Sequence, residues 1–389
     1  MQHFLHYYYK IVLRSPHKMI LLLSVFCTLF LGCKKEPHPN VPPVSVRRTV
    51  LVYLGTDNEF RTEAVQKIDT LRKYWNKTND GNLLVYADTG GNPVLVHIYY
   101  SNQRGNVADT IEIYPSENSA NPATFHRVLQ KAKTYRPAAS YGLVVLSHAT
   151  GWLPAEMSSP DIKLKAVIQD KGTSETNNYM ELKDFADAIP CHLDFIIFDA
   201  CLMGSVEVCY ELKNKVDYIV ASPAEVLAPG FVYATMMPLL FAPAPDLTSV
   251  AREFYEYYHN QSGYYQSATV SVIKTAALAE LATVIRDITP PAFLPDGWEN
   301  IQTFGYGAQK IYFDLEDYCK RLSPENHDRI QKALDQCVLY KRCTPSFFSS
   351  GTKTMQAIQN FCGLTVYIPQ AAYPQANEAY RKLEWAMLK

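Results

Sequence analysis

Two residues with complementary chemistry stand at the ends of apolar runs. His148 directly follows Tyr141 to Ser147 (YGLVVLS), and Cys201 follows Leu193 to Asp199 (LDFIIFD) with one alanine between. A thiol beside an imidazole forms a nucleophile and base pair, because the imidazole lowers the thiol's pKa and makes thiolate available near neutral pH. A helix is expected directly after Cys201, and its amino-terminal dipole would favour a negative sulfur. Taken singly, each residue also has a bland reading. A His after a strand serves as a hydrogen-bonded loop residue, and a Cys at a strand end serves as a small buried apolar group.

The elements that must position this pair follow from the hydrophobic pattern. Short apolar runs alternate with segments of helical period, the sign of an α/β sheet whose central strands are largely parallel. Strands are expected at 48–54, 83–87, 94–100, 141–147, 193–199 and 217–221, and helices at 63–75, 124–135, 180–189 and 204–213. In such a sheet, ligands collect beyond the carboxyl ends of the strands, where His148 and Cys201 both fall. Beyond Pro245 the pattern is mixed: helices at 247–259, 276–287 and 324–340 are separated by strands at 268–273 and 364–368. This gives a core over 47–245 and a mixed α/β C-terminal subdomain over 246–389. There is no internal repeat and no glycine-rich phosphate loop.

His148 precedes Cys201 by 53 residues, close to the spacing of about 50 in caspases. The segments Leu146-Ser147-His148 and Asp199-Ala200-Cys201-Leu202-Met203 resemble the catalytic motifs of clostripain-like cysteine peptidases, relatives of caspases, gingipains and legumain. VLVYLGTDN at 50–58, FDACLMGSVEVCYE at 198–211, the strand at 217–222 and GLTVYIP at 363–369 are similar to further parts of that family.

The resemblance implies a caspase-like sheet flanked by helices and cleavage after Arg or Lys, with protein or peptide substrates. It puts Cys201 as nucleophile, His148 as base, and the N–H groups of Ala149 and Cys201 as oxyanion donors. It places Asp199 on the floor of the pocket for a basic P1 side chain, with Glu225 as a second candidate; capping the next helix is the other reading of Asp199. It implies a cut between the His and Cys strands, where Lys171, followed by the polar run Gly172 to Asn178, is the expected bond. Calcium is also implied, with no site, since no acidic loop has the EF-hand pattern. Two positions depart from the family: Ala149 and Thr150 stand where glycines usually follow the His, and Phe231 follows Pro229-Gly230 where a second Gly and a Trp are usual. A catalytically degenerate protein that binds peptide or glycan is the competing class.

The chain has 389 residues, 37 Lys and Arg against 38 Asp and Glu, and a formal net charge of −1, so no basic surface draws it to nucleic acid. The first 32 residues read as a lipoprotein signal: a basic flank at Arg14, His17 and Lys18, an apolar run from Met19 to Leu31, then Leu31-Gly32-Cys33. The run is short for a transmembrane span. Gly32-Cys33 resembles a lipobox, which implies acylation of Cys33, anchoring to a membrane and a place in a bacterial cell envelope. The proline-rich stretch over 33–46 reads as a stiff tether. No cysteine spacing indicates zinc, and no disulfide pairing is assigned.

Overall fold

The computed structural model describes residues 46–154, 166–172, 178–288, 295–305 and 309–388. The signal segment, Cys33 and the tether up to residue 45 lie outside them. The described residues form one compact unit.

A nine-stranded sheet runs through this unit. Its first strand, β1 (Arg48–Gly55), is buried along its whole length. Such a β-branched, aromatic run suits a strand covered on both faces. Strand β2 (Gly81–Asp88) lies parallel on one side of β1, and β5 (Ser140–Leu146) lies parallel on the other. Strands β8 (Leu193–Asp199) and β9 (Val216–Ala221) continue the parallel block beyond β5. The chain therefore leaves β1 in both directions, which makes the carboxyl ends of β1, β5 and β8 the topological switch point.

Antiparallel strands close both edges. Beyond β2 come β3 (Val94–Ser101) and β4 (Gly105–Ile113), and beyond β9 come β10 (Thr269–Lys274) and β12 (Val338–Cys343). The segment after Pro245 thus adds strands to the same sheet.

Side chains alternate across the sheet, so each strand feeds two cores. Val50, Val52, Phe195 and Ile197 face a layer made by helices α1 (Arg61–Tyr74), α5 (Tyr233–Leu240) and α6 (Leu247–His259). Leu51, Tyr53, Ile196 and Phe198 face α2 (Pro122–Tyr135), α3 (Leu182–Ala188), α4 (Val206–Leu212), α7 (Leu278–Ile288) and α9 (His327–Cys337). Between α7 and α9 lies α8 (Leu315–Leu322), whose amino end is capped by Asp314 on Asp317 N.

One local expectation is corrected, and two elements appear that the sequence did not mark. The helix expected over 324–340 ends at Cys337, and Val338 and Tyr340 instead pair with β10, as β-branched and aromatic side chains favour, with Leu339 at a register shift between them. Helix α5 carries Pro238, which masks its helical period in the sequence. Strand β4 is polar and only partly buried, so it lacks an apolar signature.

Candidate active site

Strands β5 and β8 are parallel neighbours with Leu146 opposite Asp199. His148 and Cys201 each lie two residues beyond that pair, so sheet register brings them to corresponding positions on adjacent chain ends. The turns that follow also meet. Gly151 has φ +65, and a Cβ there would stand 2.6 Å from the carbonyl oxygen of Leu202. Only a glycine takes that φ without strain and lets the two backbones approach so closely.

The Cys201 turn is locked by main-chain bonds. Leu202 N donates to Ala224 O at 3.0 Å, Gly204 N to Ser222 O at 2.9 Å, and Thr365 N to Gly204 O at 3.0 Å. Leu202 itself has φ +61, a left-handed conformation that costs a branched residue of order 1–2 kcal/mol. The thiol is buried, and Val226 N points at its sulfur from 3.3 Å. An N–H aimed at sulfur is the contact an ionised thiolate accepts. Helix α4 starts later than expected: Ser205 caps it through Val208 N, and it spans Val206–Leu212. The intervening turn separates the sulfur from the helix end, so the expected dipole contribution at Cys201 weakens.

The His148 ring is held by side chains. Its Nε2 lies 2.6 Å from Glu59 Oε1, and the Phe60 ring lies 4.2 Å away between centroids. Glu59 Oε2 is paired to the ammonium of Lys171. Ser147 ties the strand end to β1 by donating to Gly55 O at 2.7 Å. Thr150 O accepts from Tyr312 Oη at 2.6 Å. Tyr312 is wholly buried, and burial pushes its phenol up, with further contributions from Glu207 and Cys201.

Ala149 is buried directly after the His. Asp199 is also buried, and it is not a helix cap: that role belongs to Ser205. Its Oδ1 accepts from Phe231 N at 3.2 Å, and its Oδ2 lies 3.1 Å from the ammonium of Lys67 on α1. Glu225 is held elsewhere, accepting from Ser350 N at 2.9 Å. Lys171 is less free than its polar surroundings imply. It directly follows the short strand β6 (Ile168–Asp170), and its backbone N–H donates to Asp57 O at 2.9 Å. Among the described residues, no group of three or more His, Cys, Asp or Glu is assembled to hold a metal. Among the described residues, none of the seven cysteines is joined in a disulfide.

Glu59, Lys67 and Tyr312 join this neighbourhood without having been singled out in the sequence. Glu59 had a signal in its position just beyond β1, at the switch point. Lys67 had another: it interrupts the apolar stripe of Ala64 and Leu71 on α1. Tyr312 arrives from far along the chain with no local pattern to mark it.

The model of the Clostripain family, Peptidase_C11, matches residues 52–381. Clostripain from Hathewaya histolytica is 24% identical over 216 residues, a stretch that takes in 48% of this chain and 40% of clostripain's length. The structure of an inactive zymogen C11 protease from Parabacteroides distasonis superposes with a TM-score of 0.79 at 32% identity, over 90% of this chain and 99% of that one. A secreted C11 cysteine protease from Bacteroides thetaiotaomicron, in complex with an irreversible peptide inhibitor, gives a TM-score of 0.77 at 30% identity, over 88% of this chain and 98% of that one. A thiol and an imidazole at matched strand ends, on a sheet shared with these proteases, place the chain in the clostripain family of cysteine peptidases, with its caspase-like fold.

Proposed function

We propose that this protein is a cysteine endopeptidase that hydrolyses peptide bonds after Arg or Lys, with Cys201 as nucleophile and His148 as base. The observation that carries this reading is the register of β5 and β8, in which Leu146 stands opposite Asp199, two residues short of His148 and Cys201 respectively. The sulfur attacks the scissile carbonyl carbon as the imidazole takes the thiol proton, and the C–N bond then breaks as that proton passes to the leaving amine. Water, deprotonated by the same imidazole, hydrolyses the thioester and releases the acid. The N–H groups of Ala149 and Cys201 are the proposed oxyanion donors. Asp199 is the proposed partner of the P1 cation.

Self-processing after Lys171 and lipid anchoring through Cys33, with a place in a bacterial cell envelope, belong to the same reading. The family's peptide-inhibitor complex supports a peptide substrate. The decisive test is alkylation of the full chain by an arginyl chloromethyl ketone, located by peptide mass analysis. Modification of Cys201, with loss of reporter hydrolysis in Cys201→Ala, is expected. Unmodified Cys201 would leave the non-catalytic peptide- or glycan-binding lipoprotein. For the anchor, Cys33→Ser is expected to move the protein into the soluble fraction, and retention in membranes would overturn it.

A further inference from the structure

The carboxylate proposed to receive the P1 cation already holds one. Lys67 Nζ stands 3.1 Å from Asp199 Oδ2, and the two side chains are 8% and 1% exposed. The same ammonium donates to Pro229 O at 3.0 Å and lies 4.0 Å from the centroid of the Tyr233 ring. Asp199 Oδ1 takes Phe231 N, and a Cβ on Gly230 would sit 2.2 Å from that oxygen. The loop over Asp199 is thus pressed down around an ion pair. A bare carboxylate at this depth would be strongly unfavourable, and the lysine neutralises it.

A pocket of about 250 Å³ reaches the lysine of this pair, with Glu63, Lys67, Gly230, Phe231 and Tyr233 in its lining. Glu63 supplies the second observation. It is in the first turn of α1, one turn before Lys67, and its Oε2 is buried with no hydrogen-bond partner among the described residues. Side chains four apart on a helix are neighbours, so the ammonium can reach Glu63 by changing rotamers, without moving the backbone.

We propose that Lys67 is a specificity-determining residue: an internal stand-in for the P1 cation that occupies Asp199 in the free enzyme and swings to Glu63 when a substrate Arg or Lys enters. This rests on the endopeptidase reading above. A basic P1 side chain gains only the difference between its pairing with Asp199 and the pairing it displaces. Selectivity for charge at P1 is therefore muted while Lys67 is present. Removing the internal cation leaves Asp199 in need of a partner, and the substrate supplies it.

The test compares hydrolysis of peptides with Arg or its neutral isostere citrulline at P1, using the full chain. Lys67→Met is expected to raise the Arg-to-citrulline ratio of kcat/KM tenfold or more. Glu63→Gln, which weakens the landing site, is expected to lower that ratio two- to fivefold. A ratio unchanged in both, with turnover intact, would show a purely structural ion pair and overturn the proposal.

A measurement on the unmutated protein covers a Lys67→Met variant that fails to fold. Lys67 is expected to resist acetic anhydride in the free enzyme and to become acetylated once Cys201 carries an arginyl ketone, but not a citrullinyl one. Equal protection with both reagents bound would overturn the exchange. If neither reagent alkylates Cys201, the endopeptidase reading fails, and the inference with it.

Discussion

The two halves of the proposed catalytic pair are held by different means. The sulfur of Cys201 is met by the main chain of Val226, in a turn stitched by backbone bonds to Ser222, Ala224 and Thr365. The ring of His148 is met by the side chains of Glu59 and Phe60, and Glu59 is itself about half exposed. Main-chain anchoring is set by the packing of whole elements and has few adjustable parts. Side-chain anchoring is set by single residues and responds to their charge. The nucleophile end should therefore tolerate chemical change poorly and solution conditions well, and the base end the reverse.

The most damaging way to break the nucleophile end is to add volume under it. A Cβ on Gly204 would meet Pro223 N at 2.6 Å and Ser222 C at 2.8 Å, both backbone atoms that cannot turn aside. Gly204→Ala is expected to destabilise the fold by about 3 kcal/mol, the upper part of the usual overpacking range. It should also slow alkylation of Cys201 by a large factor. Chemical denaturation together with an alkylation time course would check both, and a wild-type midpoint would show that the turn is not rigid.

One buried acid on the same side is an exception to that tolerance and carries a pH signature. Glu207 in α4 is fully buried, and burial raises its carboxyl to about 7 despite the hydrogen bond from Tyr367 N. With the folded pKa above the unfolded value, the native state binds the proton more tightly. The stabilisation is complete below pH ~4.5 and is lost as pH rises through about 7. Glu207→Gln keeps the acceptor and removes the titration. It is expected to match the wild type near pH 4.5 and to be more stable at pH 8 by on the order of 3 kcal/mol, at about 1.4 kcal/mol per pKa unit. Parallel stability profiles for the two proteins between pH 4.5 and 8 would contradict this assignment.

The same contrast explains what was legible in the sequence. The nucleophile strand was readable to its limits, since LDFIIFD centres on the apolar run Phe195 to Phe198 and the DACLM motif begins on its last residue. His148 was readable as a strand-end residue. Its partners were not, because an acid on an exposed turn and a lysine on an unremarkable polar stretch carry no periodic signal. Asp199 was legible as a buried acid near the nucleophile. Its pairing with Lys67 required knowing that Asp199 shares the face of Phe195 and Ile197, which meets the layer containing α1, and that depends on register and helix placement. The strand hidden in the expected helix over 324–340 failed for a related reason: a short β-branched run after a helix extends the apolar pattern without a turn residue to punctuate it.

The smallest expected effect lies at the base end and sharpens the comparison most finely. One Glu59 oxygen lies 2.6 Å from His148 Nε2, and the other is paired to the ammonium of Lys171. Glu59→Gln keeps an amide oxygen for the ring but loses the charge, whereas Glu59→Ala loses both. The Phe60 ring still restrains the imidazole in either variant, and at 48% side-chain exposure solvent screens much of the Glu59 charge. The Gln variant is therefore expected to lower kcat/KM two- to threefold and the Ala variant about tenfold, with stability unchanged. Steady-state hydrolysis of a reporter peptide would read this directly. Equal losses in both variants would assign the effect to charge, and no loss in either would make Phe60 and the strand end sufficient to hold the base.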